Sequence, residues 1–203
     1  MAYPDFKTFN QLKDKFSVTV ESKHLFFSNV PEADVSQHLQ ETLNDNVTLA
    51  LNINTEKARS ELIVMQVLVE VRKNQNRLIS VFSGVEFIVD SDAGLSGYCD
   101  FIISHSPNQI FVTAPVICMV EAKNENLKTA YPQCIAEMIA AQRFNSAQSN
   151  PIDTIWGVAT NGYHWKFLSL VGDTVEIDYD EYSIEQIGKL LGIFQYILGD
   201  NSQ

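Results

Sequence analysis

What this chain of 203 residues lacks narrows its class before any motif is considered. No apolar run approaches the eighteen or more residues that cross a bilayer, and Met1–Asn10 carries no secretory-leader pattern, so no membrane role is expected. There are only three cysteines, an odd number without metal-ligand spacing. They imply reduced thiols and a cytoplasmic setting, and a zinc role is not expected. Cys99 and Cys118 should face away from any site built around Asp100. Histidine is sparse too: His24 and His38 stand isolated, as surface or packing residues do, and His164 reads as a hairpin residue. Positive charge is short, with 14 Lys and Arg against 25 Asp and Glu and a net charge of −11. Tight, unassisted binding to bulk nucleic acid is therefore disfavoured.

The charge is unevenly spread. From Asp173 onward seven acidic residues face one basic residue, Lys189. Basic side chains gather instead at Lys57, Arg59, Arg72, Lys73 and Arg77, and again at Lys123, Lys128 and Arg143. With 45% hydrophobic residues there is ample material for one packed domain.

The most informative stretch runs from Gly97 to Gln133. Gly97–Ser104 and Val116–Lys123 are apolar, β-rich runs separated by Ser-Pro-Asn turn chemistry. Within them lie Asp100, Glu121 and Lys123. Alternation along a strand sends Glu121 and Lys123 to one face, and hairpin pairing brings Asp100 to that face as well. A Glu-x-Lys pair alone reads as a surface ion pair. The flanking Val-Ile-Cys-Met-Val instead marks a strand buried on both sides, where charge is costly unless it serves a purpose. Hard cations such as Mg²⁺ or Mn²⁺ take carboxylate and carbonyl oxygens, which Asp100, Glu121 and the Ala122 carbonyl supply. Lys123 is then placed to hold an attacking water or a developing negative charge. Hydrolysis of a phosphodiester is the chemistry that fits.

Asp100 followed, one hairpin later, by Glu121-Ala122-Lys123 resembles the PD-(D/E)XK nuclease superfamily, over roughly Thr55 to Leu170. Cys99 stands where the eponymous proline would be. Thr160–Trp165, Thr-Asn-Gly-Tyr-His-Trp, is similar to the late hairpin of type I restriction-enzyme nuclease domains. The resemblance implies an α/β fold, a restriction-endonuclease-like α/β/α sandwich with a central mixed sheet. It also implies Mg²⁺ or Mn²⁺ as cofactor and nucleic acid, specifically DNA, as partner, acted on by a homodimer or a larger complex. It places Asp100 and Glu121 on the metal and Lys123 at the hydrolytic water. It adds a Glu from the preceding helix and a Gln from the following one.

For the first of these, Thr55 N-caps a helix reaching about Lys73, with Ala58, Leu62, Met65, Leu68 and Val69 as its apolar stripe. Glu61 lies one turn from Ala58, Met65 and Leu68, so it belongs to that stripe and to the site. Glu70, beside Gln66, Lys73 and Asn74, belongs to solvent. For the second, Pro132 opens a helix to about Phe144, with Gln133 at its N-terminal end. Glu125 and Glu137 are weaker candidates, and Asp90 and Asp92 read as loop acids.

The remaining elements are read as a helix in Met1–Phe16, strands at Ser17–Val20 and Leu25–Phe27, a helix from Pro31 to Leu43, and an extended run at Val47–Ile53. Leu78–Phe82 and Val85–Val89 continue as strands. Thr154–Thr160 and Tyr163–Val171 flank an Asn161-Gly162 turn, Val175–Ile177 is a short strand, and Ile184–Leu198 is a helix. The division expected is residues 1–54 as an elaboration packed on a nuclease-like core, 55–203, that includes the C-terminal helix. Two competing readings stay open: a catalytically silent nuclease-fold subunit or scaffold, and hydrolysis of a small phosphorylated molecule.

Overall fold

The computed structural model describes residues 1–23, 26–123 and 126–199. His24 and Glu125, and the Leu25 end of an expected strand, lie outside them. A 3₁₀ turn (Tyr3–Asp5) leads into α1 (Phe9–Phe16), then β1 (Thr19–Lys23) and α2 (Gln37–Ile53). Next come α3 (Glu56–Arg59), a π-helical turn (Ser60–Val64) and α4 (Met65–Asn74). The strands β2 (Ser80–Glu86), β3 (Tyr98–Ser104) and β4 (Val116–Ala122) follow, then α5 (Tyr131–Ala147). The chain finishes with β5 (Thr154–Thr160), β6 (His164–Val171), β7 (Thr174–Asp178), β8 (Tyr182–Ser183) and α6 (Ile187–Leu198).

The strands form one mixed sheet in the order β1-β7-β6-β5-β4-β3-β2, with β8 also on β6. The β4–β5 and β1–β7 pairs are parallel and the others antiparallel. The parallel pair β4–β5 requires a crossover, which α5 provides. Helices cover both faces, in agreement with the expected α/β/α layering. On one side Leu39, Leu43, Ile63, Val67, Leu190 and Phe194 pack against Ile103, Val120, Val158 and Phe167. On the other, Leu12, Ala136, Met138 and Ala140 pack against Ile102, Met119, Ala159 and Leu168. Every residue of β4 is buried, which is why its sequence is continuously apolar rather than alternating.

Small residues let α5 lie close to the sheet, and a polar clamp fixes its far end. Val116 N–H donates to Asn145 Oδ1 at 2.7 Å, and Asn145 Nδ2 donates to the Val116 carbonyl at 2.8 Å. At the hairpin turn Gly162 has φ 83°, and Asn161 Oδ1 accepts from the His164 amide at 2.7 Å.

Several local expectations fail for identifiable reasons. Val47–Ile53 is helical, because α2 is capped at Ser36 and extends to Asn54, whose left-handed conformation (φ 54°) stops it. Leu39, Leu43 and Ala50 give α2 a buried face that the β-branched content of the run conceals. Phe26–Asn29 is a turn, and the helix expected from Pro31 begins only at Gln37. The runs expected as two strands, Leu78–Phe82 and Val85–Val89, yield one strand, β2, which spans only Ser80–Glu86.

Glu70 also departs from expectation: it is buried (3% exposed), accepting from Ser36 N–H at 3.3 Å and Lys73 Nζ at 3.2 Å. The cause is the π-helical turn, where Met65 N–H bonds to the Ser60 carbonyl and slips the helix out of its 3.6-residue phase. Downstream, Val67, Leu68 and Val71 are buried while Val69 is exposed.

Burial alone would raise the Glu70 pKa, but Ser36 and Lys73 together outweigh it and hold it below the ordinary value of 4.5. The stability this carboxylate contributes is present above 4.5 and lost as pH falls through its lower folded value. Glu70→Gln is expected to cost about 1–3 kcal/mol at neutral pH. It should also flatten the acid limb of a urea-denaturation series taken from pH 7 to pH 3. A second test concerns α6, where a Cβ on Gly192 would lie 2.0 Å from the Pro31 carbonyl oxygen. Gly192→Ala should lower stability by about 1–3 kcal/mol in thermal melts, despite the better helix propensity of alanine.

Candidate active site

The site forms where β3 and β4 meet the end of the sheet. Phe101 pairs with Val120 and Ile102 with Met119, so continuing the register sets Asp100 opposite Glu121. Ala122 N–H donates to Asp100 Oδ2 at 2.8 Å, tying the carboxyl to the neighbouring strand. Lys123 N–H continues the parallel ladder to the Thr160 carbonyl at 2.7 Å, which fixes the backbone from which its side chain starts.

Alternation breaks at this point. Phe101 packs in the core under α2, α4 and α6, yet Cys99, two residues earlier, packs in the core under α5. On β2 the residue between Ser83, paired with Phe101, and Val85, paired with Cys99, is Gly84, with φ 62°. That left-handed conformation is open to glycine at little cost and is strained for other residues. The paired strands therefore kink together, and Asp100 sits at the kink. Its carboxyl lines an open cleft of about 320 Å³ with Glu56, Lys57, Ser60, Glu61, Ser83, Gly84 and Phe101.

Glu121 shares the α5 side of β4 with Met119 and pairs with Ala159 of that same core. It is fully buried, and its closest charge partner is the ammonium of Lys123, which also lies 3.7 Å from Glu56 Oε1. Beyond the Lys123 ammonium, no donor among the described residues serves either Glu121 oxygen. Glu137 of α5, whose carboxyl acts electrostatically on Glu121, is also fully buried; its Oε1 accepts from Gln133 Nε2 at 3.1 Å and, among the described residues, its Oε2 has no donor.

Burial raises the Asp100 pKa against the opposing Ala122 amide and Lys123. Burial, then the charge of Asp100, pushes Glu121 up to about 8, with Lys123 pulling the other way. Glu137 is also raised well above its ordinary value, first by burial and then by Glu121. For Lys123 burial acts downward, but Glu121, Glu56 and Asp100 together exceed it and keep the ammonium charged.

Asp100, Glu121, Ala122 and Lys123 thus come together. Gln133 joins through Glu137 and is largely buried rather than solvent-facing. Glu61 lines the cleft beside Asp100, but from an exposed position where it pairs with Lys57 at 3.8 Å. Its expected burial in the helix stripe is overturned by the π-helical turn that contains it. Of two further acids in the cluster, Glu56 has no site role in the sequence reading and Glu137 is only a weaker candidate there. Glu56 follows the Thr55 cap, where acids also serve the helix dipole, and Glu137 is embedded in an apolar helix. Cys99, expected to point away, lies on the α5 side, and burial followed by the charge of Glu137 keeps its thiol protonated. Of the loop acids, Asp90 pairs with Arg143 at 2.7 Å. His164 pairs with Glu181 at 2.9 Å.

Among the described residues no three His, Cys, Asp or Glu side chains are grouped as a ready metal-ligand set. No helix among them is long and apolar enough to cross a membrane. No family model matches the chain, and no curated protein matches it. Among solved structures, one similar to it is a cryo-EM structure of a DrdV–DNA complex, at 12% identity and a TM-score of 0.44. The similarity covers 80% of this chain and 13% of that one, so this chain corresponds to a small part of that protein's length.

Proposed function

We propose that the chain is a Mg²⁺- or Mn²⁺-dependent phosphodiesterase of the PD-(D/E)XK type, acting on DNA. The observation that carries this reading is the grouping of Asp100, Glu121 and Lys123 at the ends of β3 and β4, where the buried Glu121 carboxyl meets the Lys123 ammonium and, among the described residues, no further donor. Leaving a buried carboxylate in that condition is costly, and a divalent cation is one partner that would offset the cost. The donors fit such an ion: they are hard oxygens, and Mg²⁺ is commonly held by one or two carboxylates with water and phosphate oxygens completing the shell. Asp100, Glu121 and the Ala122 carbonyl would hold it, with Glu61 contributing from the cleft rim. When bound, the ion would supply charge stabilisation at the phosphoryl group and a more acidic water.

The protein's own contributions follow from position. Lys123 stays cationic and can orient a water or offset charge on a phosphoryl oxygen in the cleft. Gln133 acts from behind, through Glu137. A cytoplasmic enzyme working as a homodimer or in a larger complex belongs to the same reading. A second reading, a catalytically silent subunit with a nuclease-like fold, is favoured by one specific feature. Lys123 already meets both Glu121 and Glu56, so the cluster is partly compensated without any added cation.

Purified protein should cleave single- or double-stranded DNA in Mg²⁺ or Mn²⁺, and a chelator should abolish cleavage. Asp100→Ala and Lys123→Ala should each reduce the rate by about 100-fold or more. Undiminished cleavage in both variants would overturn the assignment. A wild-type protein with neither turnover nor metal-dependent calorimetric heat would establish the silent subunit.

A further inference from the structure

Phosphate oxygens entering the cleft beside Asp100 would meet a lining that is mostly acidic, since Glu56 and Glu61 border it too. Two basic residues at this end of the sheet are committed elsewhere. Arg59 donates through Nη1 to the Asn161 carbonyl at 2.8 Å and through Nη2 to Asn54 Oδ1 at 2.9 Å. Lys123 is largely covered and is held by Glu121 and Glu56. That leaves Lys57, the one cation lining the cleft among the described residues. Its side chain is 82% exposed, and its partner Glu61, 3.8 Å away, is itself 64% exposed. Exposed pairs of this kind contribute little, so Lys57 can exchange Glu61 for another anion at small cost.

From β2, Gly84 presents bare backbone to the same cleft. A Cβ added there would meet no atom within 4 Å, so the space over this residue is open. Ser60 and Ser83 line the cleft as well. An ammonium, hydroxyl side chains and an unobstructed stretch of backbone are the groups that seat nucleic-acid phosphates without reading sequence.

We infer that the cleft takes a nucleic-acid strand by its sugar-phosphate backbone, the strand lying over Gly84 and Lys57 contacting a phosphate beside the one at Asp100. The inference rests on the nuclease reading and adds to it the group that draws the strand in. Lys57 serves binding rather than the chemical step, and its move to the phosphate releases Glu61 toward the ion.

The test follows the anisotropy of short, fluorescein-labelled single- and double-stranded DNA through a salt series, with Ca²⁺ held constant as the hard cation. Lys57→Gln should weaken binding about 5- to 10-fold near 0.1 M salt. It should also reduce the slope of log K against log salt by about 0.7–0.9, as expected for one phosphate contact. Lys57→Arg, which keeps the charge, should restore both. Lys13→Gln, which removes an exposed cation of α1 outside the cleft, should change neither. In cleavage assays with Mg²⁺, Lys57→Gln should raise KM and leave kcat unchanged, the pattern of lost uniform binding. A slope unchanged in Lys57→Gln, or lowered equally by Lys13→Gln, sinks the inference and leaves the nuclease reading standing if wild type cleaves. If wild type binds DNA without cleaving it, the nuclease reading fails and the slope judges Lys57 alone. Wild type that binds no DNA overturns the inference.

Discussion

Glu121 is a carboxyl group with no access to water, near the end of the most deeply covered strand of the sheet. Removing a carboxylate from water costs several kcal/mol unless charge and hydrogen bonds replace the solvent. Three groups surround it. Lys123 brings an ammonium along the same strand, Glu137 stands behind on α5, and Asp100 is drawn alongside by the register of the hairpin. These neighbours are not all favourable, since Asp100 and Glu137 add negative charge beside a group already hard to ionise. Perturbed carboxyls beside a cleft occur at working sites and also in structural ion-pair networks.

The kink at Gly84 and Asp100 explains how a side chain from the middle of a sheet gains an opening to solvent. A regular β3 would keep alternate residues on fixed faces, and the pattern from Phe101 to Cys99 departs from that. Because both partner strands bend at the same rung, hydrogen bonding continues on either side of it. The cleft is completed by α3 and the π-helical turn, which bring Glu56, Lys57, Ser60 and Glu61 to its rim. Single π-turns within α-helices occur often at functional positions, and this one faces the cleft.

The parts of the molecule legible in the sequence were those governed by short-range pattern. Val116–Ala122 announced a doubly buried strand, Asn161-Gly162 announced its hairpin, and the layers of helix, sheet and helix followed from the order of elements. The nearness of Asp100 to Glu121 was legible from hairpin pairing, and that of Glu121 to Lys123 from alternation. The break in alternation at Asp100 was not. What escaped depended on tertiary context. The run Val47–Ile53 has the composition of a strand but continues a capped helix. The phase of the helix after Ser60 slips at the π-helical turn, which reverses the burial of Glu61 and Glu70. Glu56 meets Lys123 from a distant part of the chain, and no local spacing announces it. Glu137 pairs locally with Gln133, but its placement beside β4 depends on how α5 packs.

The Asn145 clamp has a mechanical consequence for α5. Apolar packing against β4 is non-directional, and a helix lined with alanine can slide over a smooth surface at little cost. A side-chain amide bonded to both the N–H and the carbonyl of Val116 pins one end of that surface. Any tilt of α5 must then pivot about Asn145, and displacement grows along the helix toward its start. Glu137 lies roughly 12 Å from that pivot and Gln133 roughly 18 Å, at about 1.5 Å of rise per residue. The helix is a lever whose hinge is remote from the carboxyl cluster and whose moving arm ends there.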